Sequence, residues 1–138
     1  AYKVHQGNLK LNNITGGYHL NPNLMRYETH RVWVVEANLR KGIQHKYGKR
    51  RYYFDEDTWQ IVLAEEYDNN GKLIQLTESH TINYYEIPMV YTTLDVTYDL
   101  ENGRYFAEGL DNERDPISGD VEFSRKEFTS SALRREAL

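Results

Sequence analysis

Apolar and polar residues alternate along most of the chain from residue 31 to residue 111, and this period of two constrains the fold more than any other feature. Successive side chains of a strand point to opposite faces, so such alternation is typical of antiparallel sheets with one apolar face. Trp33, Val35 and Leu39, for example, are separated by Val34, Glu36 and Asn38. The sequence therefore predicts a mainly β fold, an antiparallel sheet followed by a short C-terminal helix.

Turn-forming residues divide the chain into three regions. Gly, Asn and Pro are dense in residues 1–30, which predicts an irregular N-terminal arm with one short strand at Lys10–Ile14. Residues 31–123 are predicted to form the antiparallel sheet, and residues 124–138 the C-terminal helix, with Thr129 or Ser130 as its N-cap. Together these regions are expected to be one portion of a larger domain.

The dipeptide Asn102-Gly103 predicts the register of one hairpin. Asn-Gly favours a two-residue type I′ turn, which would pair Tyr98 with Ala107 and Val96 with Gly109. The small residues opposite the large ones would leave room above the sheet, so another part of the structure must fill it.

Composition and spacing argue against several functions. The net charge of −4, from 17 Lys and Arg against 21 Asp and Glu, disfavours nucleic-acid binding, although Lys46–Arg51 is locally basic. Without cysteine, thiolate metal sites and cysteine nucleophiles are excluded. The five histidines lack metal-ligand spacing, and Asp55–Asp57 is predicted to be a solvated turn rather than a calcium loop. We therefore expect no enzyme activity, cofactor or metal.

The apolar face of the sheet is the remaining candidate for a binding site. One short helix is too small to cover it. Each Leu, Val or Phe left uncovered would lack the stabilising free energy of burial, about 1.5–3 kcal/mol. Its cover is expected to be another part of a longer polypeptide, a second subunit or an apolar ligand. The predicted ligand-binding residues are Trp33, Val35, Leu39, Tyr52, Phe54, Ile61, Leu63, Leu94, Val96 and Tyr98.

Several blocks of the sequence resemble a proteobacterial family of unknown function whose members are commonly labelled outer membrane lipoprotein-sorting proteins. The blocks are His19–Pro22, Arg26–Glu28, His30–Ala37, Tyr52–Trp59, Asn83–Tyr85, Tyr98–Leu100, Gly103–Tyr105 and Leu110–Glu113. They span nearly the whole chain in family order, and none is a defined catalytic motif.

This resemblance implies a protein about three times as long, of which the chain is the C-terminal portion. It also implies a fold like the lipoprotein carriers of the bacterial envelope, a curved antiparallel sheet forming an incomplete barrel whose concave face accepts acyl chains. Family members tend to be exported to the periplasm or the inner face of the outer membrane. Their genes tend to lie near membrane transporters of the resistance-nodulation-division type.

Two functions are consistent with these expectations. The first is a periplasmic protein that binds or transports a lipid or another hydrophobic ligand, related to lipoprotein sorting. The second is a protein-protein interaction module of an envelope transport complex, without a small ligand. The expected partners are a lipid or acyl chain, the remainder of the parent polypeptide, and an inner-membrane transporter of the type named above.

Overall fold

A single open sheet of antiparallel strands dominates the fold of the chain, for which a computed structural model describes residues 3–115, 117–119 and 121–137. Six strands follow one another in chain order across the sheet. They are β1 (Val32–Asn38), β2 (Lys49–Asp55), β3 (Ile61–Tyr67), β4 (Leu73–Tyr84), β5 (Met89–Asp99) and β6 (Arg104–Glu108). The first strand is not paired with the last, so the sheet is not closed. The predicted mainly β, antiparallel class is confirmed.

The segments outside the sheet are short. Helix α1 spans Leu11–Ile14 in the N-terminal arm, where the sequence predicted a strand. A helical turn closes locally, through the bond from the Thr15 amide to the Leu11 carbonyl, and needs no partner strand. Helix α2 spans Ser130–Glu136 and is capped by Thr129, whose hydroxyl accepts a hydrogen bond from the Ala132 amide. Residues 121–123, predicted to end the sheet, form no strand, and Leu138 lies outside the described residues.

The hairpin between β5 and β6 is shifted by two residues from the predicted register. Asp99 pairs with Arg104, and Val96 pairs with Ala107 rather than Gly109. The carboxylate of Asp99 accepts hydrogen bonds from the amides of Glu101 and Asn102, which stabilises a wider loop than the type I′ turn. Because the shift is an even number of residues, every side chain keeps its predicted face.

The N-terminal arm fills the room above β5 and β6. Val4, Ile14 and Leu20 of the arm form one buried cluster with Leu94 and Val96 of β5. Ala107 and the rings of Tyr98 and Tyr105 pack against this cluster. The arm therefore supplies much of the cover that the sequence left unassigned.

Polar contacts fix the arm at the end of β6. Nδ1 of His5 lies 2.8 Å from Oδ1 of Asp111, and the Tyr84 hydroxyl donates to Oδ2 of the same carboxylate at 3.0 Å. Asn112 donates through Nδ2 to the Val4 carbonyl at 2.5 Å. Burial, then the neighbouring Asp111, raise the pKa of Tyr84 to about 12. These bonds join the first residues of the arm to residues that follow β6.

We expect Ile14→Ala to lower the free energy of unfolding by about 2–5 kcal/mol, because Ile14 is fully buried between the arm and β5. Urea denaturation measures this loss. Tyr18→Ala, at a position 83% exposed in the same arm, is the matched control and should change stability by less than about 0.5 kcal/mol. Equal losses in the two variants would show that the arm is not part of the core.

Candidate functional site

The ladder assigns each strand residue to one of two faces, because directly paired residues share a face. One row of partners crosses the sheet through Val34, Tyr53, Leu63, Glu78, Val96 and Ala107. Since this row includes Val96 and Ala107 of the core, its face is called the arm face. The neighbouring row, on the opposite face, runs through Val35, Tyr52, Ala64, Thr77, Thr97 and Phe106.

The predicted ligand-binding residues are divided between these two faces. Leu63, Leu94, Val96 and Tyr98 belong to the arm face. Trp33, Val35, Tyr52 and Phe54 belong to the opposite face, and Ile61 pairs with Phe54 beside a bulge. Leu39 lies just beyond β1 and bonds through its amide to the Gly48 carbonyl. The ten residues therefore do not form one surface, and their binding of a ligand remains a prediction.

The part of the arm face that the core does not fill forms a cleft of about 510 Å³, called the β1–β4 cleft. Its apolar lining comes from five strands and includes Val32, Tyr53, Val62, Leu63, Ile82 and Val90. Polar residues of the lining include Arg26, Tyr27, Glu28, His30, Asp55, Thr58, Glu78, Ser79, His80, Thr81 and Asn83. Of the predicted residues, only Leu63 lines this cleft.

Two β-bulges border the β1–β4 cleft. The register shifts between Tyr53 and Phe54 where β2 meets β3, and between His80 and Thr81 where β4 meets β5. A bulge bends its strand and increases the local twist. Tyr53 and His80 both line the cleft, so the sheet is distorted where the cleft forms.

Glu78 is one of the carboxylates that line the cleft. Its side chain is 18% exposed, and its Oε2 accepts a hydrogen bond from the Tyr27 hydroxyl at 3.0 Å. Nε2 of His80 lies 3.4 Å from the same oxygen, and the ring of His80 contacts the ring of Tyr27 edge-on. The neighbouring His80, followed by Tyr27, lowers the pKa of Glu78 although burial opposes this. Burial, followed by the charge of Glu78, raises the pKa of Tyr27 to about 12.

Asp55 is the second carboxylate of the cleft, and it is buried rather than solvated as the sequence predicted. Its Oδ1 accepts hydrogen bonds from the Asp57 and Thr58 amides, which shapes the turn between β2 and β3. Its Oδ2 lies 3.0 Å from Nδ1 of His30. The side chain therefore holds residue 30 of the arm against the end of β2.

The basic segment at the start of β2 is occupied by cross-strand contacts. Arg51 donates to Glu36 at 3.0 Å, and Lys49 lies over the ring of Tyr67 at 4.3 Å. Arg50 lies over the ring of Tyr47 at 4.9 Å. These contacts give the segment a structural role in joining β1, β2 and β3.

Neither a metal centre nor a nucleophile–base pair is formed by the candidate residues. Within the described parts of the chain, no group of three or more His, Asp or Glu side chains is placed to hold a metal ion. Ser79 pairs with Asp95 and His80 with Leu94, which puts the serine and the histidine on opposite faces as predicted. Among the same residues, no helix is long and apolar enough to cross a membrane.

Comparison with known proteins identifies the family. The model of the family described as protein of unknown function DUF1329 matches residues 1–134. The chain therefore belongs to the DUF1329 family, which confirms the family resemblance seen in the sequence.

One curated relative and two solved structures are similar to the chain. The relative is Uncharacterized protein PA3922 of Pseudomonas aeruginosa, 38% identical over 139 residues, which include the whole chain and 30% of that protein. One crystal structure, from Vibrio parahaemolyticus, is provisionally named an outer membrane lipoprotein-sorting protein domain. It has a TM-score of 0.49 and 16% identity, over 80% of this chain and 45% of that one.

The second solved structure is a DUF1329 family protein from Desulfovibrio piger. It has a TM-score of 0.45 and 19% identity, over 74% of this chain and 40% of that one. Both TM-scores are below 0.5, so neither likeness bears on what this chain does. The chain spans less than half the length of each of these three proteins.

Sequence reasoning missed the polar part of the cleft. Glu78 and His80 are two residues apart in β4, a spacing that places both side chains on one face. This signal was present in the sequence. Tyr27 and His30 gave no comparable signal, because they lie in the arm and approach the sheet only through the tertiary fold.

We expect Glu78→Gln to lower stability at neutral pH, with a smaller effect in acid. The pKa of Glu78 is below its ordinary value of about 4.3, so its ionised form stabilises the fold above that pH. This contribution is lost as the pH falls through the lowered pKa. Urea denaturation between pH 7 and pH 3 should therefore show the gap between wild type and variant closing below about pH 4.

Glu101→Gln is the control for this measurement. Glu101 lies in the exposed β5–β6 loop and loses the same charge, so stability should change by less than about 0.5 kcal/mol at neutral pH. A gap between wild type and Glu78→Gln that is constant from pH 7 to pH 3 would contradict the assigned ionisation.

Proposed function

We propose that the chain is part of a non-enzymatic protein that binds a lipid or another hydrophobic ligand in the β1–β4 cleft. The observation that carries this proposal is the uneven cover of the arm face. The arm buries Leu94 and Val96 almost completely, whereas Val34, in the same cross-sheet row as Val96, is 54% exposed. A half-covered apolar face with a cleft suits an apolar ligand.

The size and lining of the cleft support this proposal. Ligand sites commonly have volumes of roughly 300–1,000 Å³, with a mainly apolar wall and a few polar groups that orient the ligand. The cleft has a volume of about 510 Å³, with Val62, Leu63 and Ile82 on its wall and Glu78 and Asp55 among its polar groups. Each apolar side chain that a ligand covers would contribute a free energy of burial to binding, because the arm does not cover that side chain.

The cellular setting is proposed from family membership. We place the protein in the bacterial envelope, in the periplasm or at the inner face of the outer membrane, with a role related to lipoprotein sorting. Further proposed partners are the remainder of a longer polypeptide and an inner-membrane transporter of the resistance-nodulation-division type. Family members of greater length support the first of these, since the chain spans 30% of PA3922.

We expect Leu63→Asp to weaken binding of the neutral apolar dye N-phenyl-1-naphthylamine at least about tenfold. A carboxylate on the cleft wall would have to be desolvated, or would hold water in the site. Dye fluorescence measures the affinity, and thermal unfolding checks that the variant is folded.

Trp33→Asp is the matched control on the opposite face. It introduces the same carboxylate at a position that is 55% exposed and does not line the cleft, so dye binding should be unchanged. Equal weakening by the two substitutions would argue against the cleft as the site. Absence of dye binding to the wild-type chain would argue against ligand binding altogether.

The second candidate function is protein docking, and the opposite face favours it. Trp33 and Val35 are 55% and 46% exposed on β1, whose outer edge is unpaired in the sheet. Exposed apolar residues on an edge strand are typical of surfaces that pair with another chain. Native mass spectrometry and lipid extraction separate the two functions: co-purified lipid supports carriage, whereas a lipid-free protein that captures a transporter subunit supports docking.

A further inference from the structure

The polar groups of the β1–β4 cleft have an unbalanced charge. Its lining contains three carboxylates, Glu28, Asp55 and Glu78, against one fixed cation, Arg26. Arg26 is ion-paired with Glu28 at the rim. Among the described residues, no Lys or Arg forms an ion pair with Asp55 or Glu78, whose neighbours in the cleft are histidines.

The two remaining carboxylates differ in how many of their oxygens have a bonding partner. Asp55 is engaged at both oxygens, by two amides of its turn and by His30. Glu78 accepts a hydrogen bond from Tyr27 at one oxygen, and its lowered pKa keeps it ionised at neutral pH. An ionised carboxylate with four acceptor sites and one bonded donor retains the capacity for a further donor.

His80 gives an independent indication of a ligand at the same place. The residue is 5% exposed and lines the cleft, and its Nε2 atom is buried without a hydrogen-bond partner. The 3.4 Å separation from Glu78 Oε2 does not have the geometry of a hydrogen bond. Native proteins rarely leave a buried polar atom unpaired, so each such atom needs an explanation.

We propose that the cleft binds an amphiphile with a cationic polar end, whose ammonium group lies against Glu78 and His80. This inference rests on the proposed ligand-binding function and specifies the ligand's chemistry. The ammonium N–H groups donate to the free acceptor sites of Glu78 and lie within reach of the unpartnered Nε2 of His80. The hydrocarbon chain lies along Leu63, Val62 and Ile82, which line the same cleft.

Three amphiphiles with the same twelve-carbon chain test this inference: dodecylammonium, dodecyl maltoside and dodecyl sulfate, each below its micellar concentration. Isothermal titration calorimetry with the full chain at neutral pH should give a dissociation constant for dodecylammonium at least about tenfold below that for the maltoside. A charge-assisted hydrogen bond to a partly buried carboxylate gives a preference of this size. Dodecyl sulfate should bind more weakly than the maltoside, because it places like charge beside Glu78.

Variants assign the preference to one carboxylate. Glu78→Gln should reduce the preference for the ammonium over the maltoside to less than about twofold. Glu101→Gln removes the same charge from an exposed loop and should keep the preference.

The outcomes distinguish failure of the cationic specificity from failure of the proposed hydrophobic-ligand binding. Equal affinities for all three amphiphiles, or a preference that survives Glu78→Gln, would overturn the cationic specificity and leave hydrophobic-ligand binding standing. Binding of none of the three would overturn both. Where a variant fails to fold, equal affinities of the wild-type chain for the three ligands would still overturn the cationic specificity.

Discussion

Packing of the N-terminal arm on β5 is the contact from which the rest of this structure follows. Ile14 and Leu20 are buried against Leu94 and Val96, so a segment without regular strands completes one half of the sheet. An open six-stranded sheet cannot bury both sides of its strands alone, and helix α2 contacts the neighbouring 3₁₀ turn at Arg125–Glu127. The position of the arm therefore decides which part of the sheet is core and which part stays accessible.

The same packing creates the polar end of the cleft. After Met25 the arm leaves the core and crosses the sheet toward β1, which brings Tyr27 over Glu78 and His30 beside Asp55. Tyr27 and His30 thus serve both as anchors of the arm and as walls of the cleft. Because each anchor bonds to a carboxylate of the sheet, the stability of the arm and the charge of the cleft are coupled.

The fold class was predictable because it depends on the alternation of apolar and polar residues within each strand. The grouping of the site residues depended instead on which face of one strand matches which face of the next, and alternation within a strand does not show this. Within β5, alternation placed Leu94, Val96 and Tyr98 correctly on one face. In β1, four consecutive apolar residues, Val32–Val35, fit either face, and the bulge beside Tyr53 changes the count between β2 and β3. Sequence alone therefore could not show that Trp33 and Leu63 point in opposite directions. Family membership was predictable because its blocks are local runs of sequence, which do not depend on register.

An ionised carboxylate in a cleft is costly to the fold unless it is bonded, and this cost bears on how the cleft can work. Burial opposes the charge of Glu78, and His80 with Tyr27 outweighs that cost, although Nε2 of His80 has no hydrogen-bond partner. A hydrogen-bond donor on a ligand would complete the bonding of both groups. Polar recognition and apolar burial would then both contribute to the binding free energy at one site. An apolar wall alone would accept any greasy molecule of suitable size. The unbalanced carboxylate is therefore the feature of this fold that can distinguish one amphiphile from another.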